Sequence, residues 1–327
     1  MGMRTIEEYI ELANLAVAGI TFPKEPKGLY EPIIYGMSQG GKRLRPAILL
    51  AACDAVGGDC MKAMPQAAAI EMYHNFTLLH DDVMDNADLR RGKPTVCNKW
   101  DDNTAILSGD AMLTMATQMV VDGVDSVKAV RLLGEFCRTA AGVYEGQQYD
   151  MDFEQRQQVS IEEYVNMIRL KTSVLLAGAC RLGAMMGDAS DKVADALYEF
   201  AVNLGIAFQL QDDWLDVYGD PKVFGKAIGG DIMNNKKTYL LITALNCAKG
   251  GDREELDRWL NDKAPFAGEK IAGVTAVYNR LGVGESCRRE MERYSNCAIE
   301  ALRGAGLPAD AEQLFEQFNR MLMGREK

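Results

Sequence analysis

The 327-residue chain carries 36 Lys and Arg residues against 47 Asp and Glu residues, a formal net charge of −11, and 48% of its residues are hydrophobic. This composition is that of an ordinary globular protein. The acidic balance argues against a general nucleic-acid-binding protein, since no basic stripe offsets it. The two histidines, His74 and His80, are too few for a metal site built of several imidazoles, and the eight cysteines include no C-x-x-C pair. Such cysteines are typical of free core thiols in a reducing compartment.

The sequence carries no pattern typical of a membrane-spanning or exported segment. No stretch approaches 18 uncharged apolar residues, so no integral membrane segment is predicted. Glu7, Glu8 and Glu11 precede any apolar run at the N-terminus, which is unlike a signal peptide. We therefore expect a cytoplasmic protein.

The hydrophobic period is helical almost throughout. In chain order, a capping box at 5–8 opens an amphipathic helix, Pro46 and Pro65 stand in the first turns of two alanine-rich helices, and a second capping box at 160–163 opens another helix. Alternating strand patterns bounded by hairpin turns are missing. The sequence therefore predicts an all-α fold of about ten or more helices, in a single domain over 1–327.

The motif Asp-Asp-x-x-Asp occurs twice, at 81–85 and at 212–216, each time among large apolar residues. On a helix the first and last aspartates share one face, about 5–6 Å apart. Acidic clusters are often solvated helix faces, but burying such charges costs several kcal/mol per ion unless cations compensate them. Carboxylates without Cys or His ligands favour Mg²⁺. The predicted metal-binding residues are Asp81, Asp82, Asp85, Asp212, Asp213 and Asp216.

Five compact basic clusters accompany these acids. They lie at 40–46, 90–93, 171–172, 224–226 and 234–238. Taken singly, each is more often a surface feature, but together with two acidic motifs they predict recognition of diphosphates. Lys171, in the middle of an apolar helix, is expected to have an anionic partner. The segment 222–238 contains glycines and is predicted to act as a lid.

With these motifs in order, the chain resembles the trans-isoprenyl diphosphate synthases, the polyprenyl synthetase family. The carrying segments are GGKRLRP at 40–46, His74, LLHDDVMD at 78–85, LRRGKPT at 89–95, KT at 171–172, FQLQDDWLD at 208–216 and GKAIGGDI at 225–232. The resemblance implies a helical bundle around a central cavity, with two Asp-rich helices facing each other. It also implies a homodimer.

The resemblance further implies two diphosphate sites. Asp81, Asp85 and Asp212 would hold a cluster of three Mg²⁺ ions that grips an allylic diphosphate, with Asp82, Asp213 and Asp216 in support. The residues that match the allylic-substrate positions are Arg90, Lys171, Thr172, Gln209, Lys226 and Lys236. Those that match the isopentenyl diphosphate positions are Lys42, Arg45, His74 and Arg91. The catalytic set is Asp81, Asp85, Arg90, Lys171, Asp212 and Lys226.

In this family, metal ions and cations stabilise the departing diphosphate, so that the allylic C–O bond ionises to a cation. The alkene of isopentenyl diphosphate attacks this cation, and a proton is then lost to the diphosphate. The expected substrates are isopentenyl diphosphate with dimethylallyl, geranyl or farnesyl diphosphate. A lid would exclude water from the cation.

Residues ahead of the first motif are expected to limit the product length. Phe76 lies five positions before Asp81, about 7.5 Å along a helix, while Thr77 and Tyr73 lie four and eight positions before it. The resemblance implies that bulky side chains at these positions form the floor of the product cavity. An aromatic residue at the fifth position but not the fourth resembles the geranylgeranyl (C20) type, with farnesyl (C15) as the alternative.

Two other functions fit part of the pattern. A class I terpene cyclase would keep an aspartate-rich motif but would not need the cluster at 40–46 or Arg91. A non-catalytic partner subunit of a longer-chain synthase would be expected to have lost aspartates from one motif, and both motifs are intact. The sequence therefore favours the synthase.

Overall fold

The computed structural model describes residues 2–220, 228–262 and 266–324, and these residues are almost entirely helical. The helices before residue 126 are α1 (Ile6–Ala18), α2 (Lys27–Ser38), α3 (Leu44–Ala55), α4 (Met64–Met84), α5 (Val96–Lys99) and α6 (Asp102–Met119), with a 3₁₀ turn at Cys60–Ala63. The later helices are α7 (Ser126–Gln155), α8 (Ile161–Ile168), α9 (Val174–Met186), α10 (Asp191–Tyr218), α11 (Gly230–Met233), α12 (Tyr239–Cys247), α13 (Gly251–Asn261), α14 (Ala267–Leu281), α15 (Val283–Ala305) and α16 (Ala309–Met323). The π-helix Arg169–Ser173 joins α8 to α9. Within the described residues, no helix is long and apolar enough to cross a membrane.

Both predicted capping boxes are present. The Thr5 side chain accepts a hydrogen bond from the backbone N–H of Glu8, whose carboxylate accepts one from the backbone N–H of Thr5. Ser160 and Glu163 repeat this reciprocal pair at the start of α8. Because the first N–H groups of a helix lack partners within the helix, these caps fix where α1 and α8 begin.

A two-stranded hairpin departs from the expectation that strands are missing. Strand β1 (Leu89–Arg90) pairs antiparallel with β2 (Lys93–Pro94). Arg91 and Gly92 form the turn, both with positive φ, 53° and 75°. Two-residue hairpin turns favour positive φ at both residues, because the twist of the turn then matches the right-handed twist of the two strands. The strands are too short to show a period of two, so the sequence pattern does not predict them.

The chain divides into two compact units. The first unit comprises Met1–Ala140, Leu175–Tyr198 and Ala305–Leu314. The second comprises Ala141–Val174, Glu199–Gly304 and Phe315–Lys327. The first unit contains the aspartate motif at 81–85 and the second contains the motif at 212–216. The single domain over 1–327 stays a prediction.

Small residues let helices of the first unit approach closely. Helix α3 is buried from Pro46 to Cys53, and α9 presents Gly183 to it. A Cβ atom built on Gly183 would lie 2.0 Å from the carbonyl oxygen of Leu49. Since that neighbour is backbone rather than a flexible side chain, the two helices require glycine at this position.

Replacing Gly183 by alanine should therefore lower the free energy of unfolding by roughly 2–3 kcal/mol, because α3 or α9 must shift. Gly134→Ala is the matched control, since it lies within α7 and its added Cβ would meet only Arg138 Nη1, at 3.7 Å. The control should be neutral or up to about 1 kcal/mol more stable, since alanine favours a helix. Urea denaturation measures both variants, and equal stabilities for the two would contradict the close packing.

Candidate active site

The first aspartate motif lies at the C-terminal end of α4. The backbone N–H of Asp85 donates to the carbonyl oxygen of Asp81 at 2.8 Å, so the two residues are one helical turn apart. Asp81 is half-buried and Asp85 is exposed. The C-terminal end of a helix carries partial negative charge, which disfavours carboxylates there. The arrangement therefore favours binding of a cation.

The middle aspartate of this motif has a different environment. Asp82 is only 4% exposed, and its carboxylate accepts a hydrogen bond from Arg90 Nε at 2.7 Å. Burial raises the pKa of Asp82, while Arg90 acts in the opposite direction. The hairpin carries Arg90, so this ion pair ties the hairpin to α4.

A basic cluster of the first unit contains Arg45, His74 and Arg91. Arg45 Nη1 lies 3.3 Å from His74 Nε2, and Arg91 donates to the carbonyl oxygen of Gly40. Burial, then Arg45 and Arg91, lower the pKa of His74 well below its ordinary value. The imidazole is therefore neutral and accepts from Arg45, which orients that guanidinium.

One hydrogen-bond donor of this cluster is unpaired among the described residues. The Nε of Arg45 is buried and has no hydrogen-bond partner within the described residues. A buried donor without a partner costs free energy, and neighbouring guanidinium groups repel each other. An anion bound at the cluster would relieve both costs, and a diphosphate fits this donor chemistry.

Of the three cations at 40–46, Arg43 is buried in an ion pair within the protein. Its backbone is left-handed, with φ 52°, and its buried side chain forms an ion pair with Glu71 on α4. Arg43 is thus a structural cation in the turn before α3. The exposed Lys42 and the half-buried Arg45 remain as the candidate anion ligands of this turn.

The second motif lies within α10 and repeats the division of the first. Asp213 is 5% exposed and accepts hydrogen bonds from the hydroxyl of Tyr164, from Gln209 Nε2 at 3.2 Å and from the backbone N–H of Tyr239 at 3.4 Å. Burial, then Asp231, raise the pKa of Asp213 to about 7.

The flanking aspartates of the second motif, Asp212 and Asp216, are half-buried. The carboxylate of Asp216 accepts from the backbone N–H of Asp231 at 3.0 Å. In both motifs, then, the middle aspartate is held by internal hydrogen bonds and the outer two are more accessible. The resemblance gave Asp82 and Asp213 a supporting role, but the sequence did not predict that internal hydrogen bonds hold their carboxylates.

Lys171 and Thr172 lie in the π-helix of the second unit. Asp150 on α7 supplies the anionic partner predicted for Lys171, with Oδ2 at 2.6 Å from Nζ. The Thr172 hydroxyl donates to Gln209 Oε1 at 3.2 Å. Hydrogen bonds thus connect Thr172 through Gln209 to Asp213. The sequence reasoning did not identify Asp150 or Tyr164 as site residues.

The predicted product-length residues lie on α4 in an aromatic cluster. The ring centroid of Tyr73 lies 5.4 Å from that of Phe76 and 5.3 Å from that of Phe136 on α7. The Tyr73 hydroxyl donates to the carbonyl oxygen of Ala140 at 3.3 Å. The Thr77 hydroxyl donates to the carbonyl oxygen of His74 at 2.8 Å. Phe136 is a further member that the sequence reasoning missed.

The proposed lid is described only in part. Lys226 and the rest of 221–227 lie outside the described residues. Lys236 is exposed, and its backbone N–H donates to the carbonyl oxygen of Asp231 at 2.9 Å.

The donor set of the two motifs fits Mg²⁺. Within residues 2–220, 228–262 and 266–324, no three acidic, imidazole or thiol side chains converge on one point as a preformed metal site. Mg²⁺ commonly binds through one or two carboxylates and completes its shell with water and phosphate oxygens. The accessible aspartates supply hard oxygen ligands of that kind.

The sequence model of the polyprenyl synthetase family matches residues 26–279. The chain belongs to this family. A geranylgeranyl diphosphate synthase of Saccharolobus solfataricus is 39% identical, over 85% of this chain and 84% of that protein. A geranylfarnesyl diphosphate synthase of Aeropyrum pernix is 40% identical, over 71% and 74%.

Solved structures agree with this assignment. A crystal structure of a geranylgeranyl pyrophosphate synthase is 41% identical with a TM-score of 0.92, over 99% of this chain and 100% of that one. Another, from Corynebacterium glutamicum in complex with isoprenyl diphosphate and magnesium, is 26% identical with a TM-score of 0.82, over 98% and 96%. The predicted family, the all-α fold and the enzyme class, a trans-prenyltransferase, are confirmed.

The hydroxyl of Tyr164 should be needed to hold Asp213. Tyr164→Phe removes one donor from a buried carboxylate and should lower the free energy of unfolding by about 1–3 kcal/mol. Tyr239→Phe is the control, because its hydroxyl meets Ser286 at 3.2 Å rather than Asp213. Denaturant titration compares the two, and a Tyr164→Phe variant as stable as the wild-type protein would contradict this role.

Proposed function

We propose that the chain is a geranylgeranyl diphosphate synthase. It condenses isopentenyl diphosphate with dimethylallyl, geranyl and farnesyl diphosphates in turn, and it releases diphosphate at each step. The observation that carries this proposal is the buried Arg45 Nε, which has no hydrogen-bond partner among the described residues and belongs to a cation cluster. The same chain holds two intact aspartate motifs. A terpene cyclase would have no use for that second cationic cluster.

Isopentenyl diphosphate binds at the cluster of Lys42, Arg45, His74 and Arg91. The support is the convergence of guanidinium groups around a neutral imidazole, which leaves donors for phosphate oxygens. His74 positions Arg45 in this proposal. The guanidinium of Arg91 comes from the hairpin turn, where positive φ at Arg91 and Gly92 aims it back to Gly40.

The allylic diphosphate binds with Mg²⁺ at the accessible aspartates Asp81, Asp85, Asp212 and Asp216. Bound Mg²⁺, three ions in this proposal, supplies charge stabilisation for the departing diphosphate. Asp82 and Asp213 keep their internal hydrogen bonds and fix the motif helices. Arg90, Lys171, Thr172, Gln209, Lys226 and Lys236 complete the allylic-substrate set, and Lys226 lies outside the described residues.

The product-length limit is assigned to the aromatic cluster of Tyr73, Phe76 and Phe136. Phe76 is nearest in sequence to the first motif, and Tyr73 and Phe136 pack behind it. Relatives named as geranylgeranyl and geranylfarnesyl synthases support a product longer than C15. The chain acts as a homodimer and a single domain over 1–327 in this proposal, on the strength of the family resemblance.

Asp81→Ala and Asp212→Ala should each lower Mg²⁺-dependent product formation at least 100-fold, because the metal ligands are lost. Asp102→Ala changes an exposed aspartate at the start of α6 and should keep wild-type turnover. Incubation with radiolabelled isopentenyl diphosphate and each allylic starter, with and without EDTA, measures the rates. Near-normal rates in both motif variants, or EDTA-resistant turnover, would overturn the catalytic assignment.

Phe76→Ala should lengthen the product beyond that of the wild-type enzyme, because it removes the first bulky side chain behind the motif. Chromatography of the dephosphorylated products measures the length for both proteins, and it also distinguishes C15, C20 and C25 for the wild type. An unchanged product distribution would refute the floor assignment of Phe76.

A further inference from the structure

Helix α7 presents a glycine and an acid to the π-helix that carries Lys171. Gly146 and Asp150 are four residues apart, so they share one face of α7. A Cβ atom built on Gly146 would lie 2.2 Å from the backbone nitrogen of Lys171 and 2.6 Å from its Cα. One turn later, Asp150 holds the ammonium of the same residue at 2.6 Å. The backbone of Lys171 and its side chain are therefore fixed by neighbouring turns of one helix.

Helix α10 repeats this arrangement on the next residues of the π-helix. A Cβ atom built on Gly205 would lie 2.7 Å from the Cα of Ser173 and 2.6 Å from its hydroxyl oxygen. One turn later, Gln209 accepts the hydrogen bond of the Thr172 hydroxyl. Another turn along, Asp213 accepts from the Gln209 amide. Each of the two helices thus contributes a glycine that leaves room for the backbone of the π-helix. Each also contributes a polar side chain that binds a side chain of the π-helix.

The π-helix explains why both neighbours must be glycine. A π-helix inserts an extra residue into the helical turn and widens the backbone locally, and such segments occur often at functional sites. The atoms that a new Cβ would meet at Gly146 are backbone atoms of Leu170 and Lys171, which cannot rotate away. An alanine there must displace the segment that carries Lys171 and Thr172.

We propose that Gly146 and Gly205 are positioning residues for Lys171 and Thr172, and that Asp150 completes their alignment. The inference rests on the proposed function, in which Lys171 and Thr172 contact the allylic diphosphate. The isopentenyl diphosphate cluster belongs to the first unit, whereas all the positioning residues belong to the second. Displacement of the π-helix should therefore weaken binding of the allylic diphosphate and leave binding of isopentenyl diphosphate unchanged.

The matched comparison is Gly146→Ala against Gly142→Ala. Gly142 lies one turn earlier on the same face of α7, and its added Cβ would meet only side-chain atoms, Val174 Cγ2 at 3.4 Å and Leu170 Cδ2 at 3.6 Å. Gly205→Ala tests the second helix. Asp150→Asn keeps the size of the side chain and removes its charge, so it tests the alignment without adding any atom to the packed interface.

Isothermal titration calorimetry in Mg²⁺ measures Kd for farnesyl diphosphate and for isopentenyl diphosphate, each alone. Gly146→Ala, Gly205→Ala and Asp150→Asn should raise Kd for farnesyl diphosphate at least 10-fold and change Kd for isopentenyl diphosphate less than 2-fold, while Gly142→Ala changes neither. If a glycine variant fails to fold, Asp150→Asn decides the matter.

Equal losses for both substrates, or wild-type Kd values in Asp150→Asn and the folded glycine variants, would overturn the positioning role. The turnover of the wild-type protein is read separately. A wild-type protein that binds farnesyl diphosphate but makes no longer prenyl product would contradict the proposed function while the binding comparison still tests the positioning.

Discussion

The structure brings like charges together in two clusters, one of carboxylates and one of guanidinium groups. Asp81, Asp82 and Asp85 lie at the C-terminal end of α4, where the helix dipole is also negative. The cations of Arg45 and Arg91 lie around the neutral His74, and one buried nitrogen of Arg45 has no partner within the described residues. Repulsion between like charges within each cluster opposes folding. Mg²⁺ ions and diphosphate groups are the ligands that would offset both costs.

Internal hydrogen bonds and ion pairs fix several of the charged side chains. Arg90 holds Asp82, Tyr164 and Gln209 hold Asp213, and Glu71 holds Arg43. These pairs stabilise the elements that carry the accessible aspartates and arginines. The π-helix is fixed in a similar way. Glycines on α7 and α10 leave room for its backbone, and polar side chains one turn later on the same two helices bind the side chains of Lys171 and Thr172. The segment that carries Lys171 and Thr172 therefore depends on helix contacts outside the sequence motifs.

Much of this could be predicted from the sequence. The helical period, the caps at Thr5 and Ser160 and the two aspartate motifs are local patterns. Such patterns can be read from the sequence because they depend only on residues that are near each other in the chain. The partner of Lys171 was predicted as an anion but not identified as Asp150, because pairing between distant helices depends on packing. The burial of Asp82 and Asp213 and the π-helix were not predictable for the same reason. The hairpin around Arg91 was missed because its strands have two residues each.

Metal and diphosphate are expected to compensate the two kinds of cluster together, and thermal unfolding with ligands tests this. The protein is heated in Mg²⁺ alone, in inorganic diphosphate alone and in both, at constant ionic strength. The rise in Tm with both ligands should exceed the sum of the two separate rises, since a ligand that binds only the native state stabilises it. A combined rise no larger than that sum would contradict the claim.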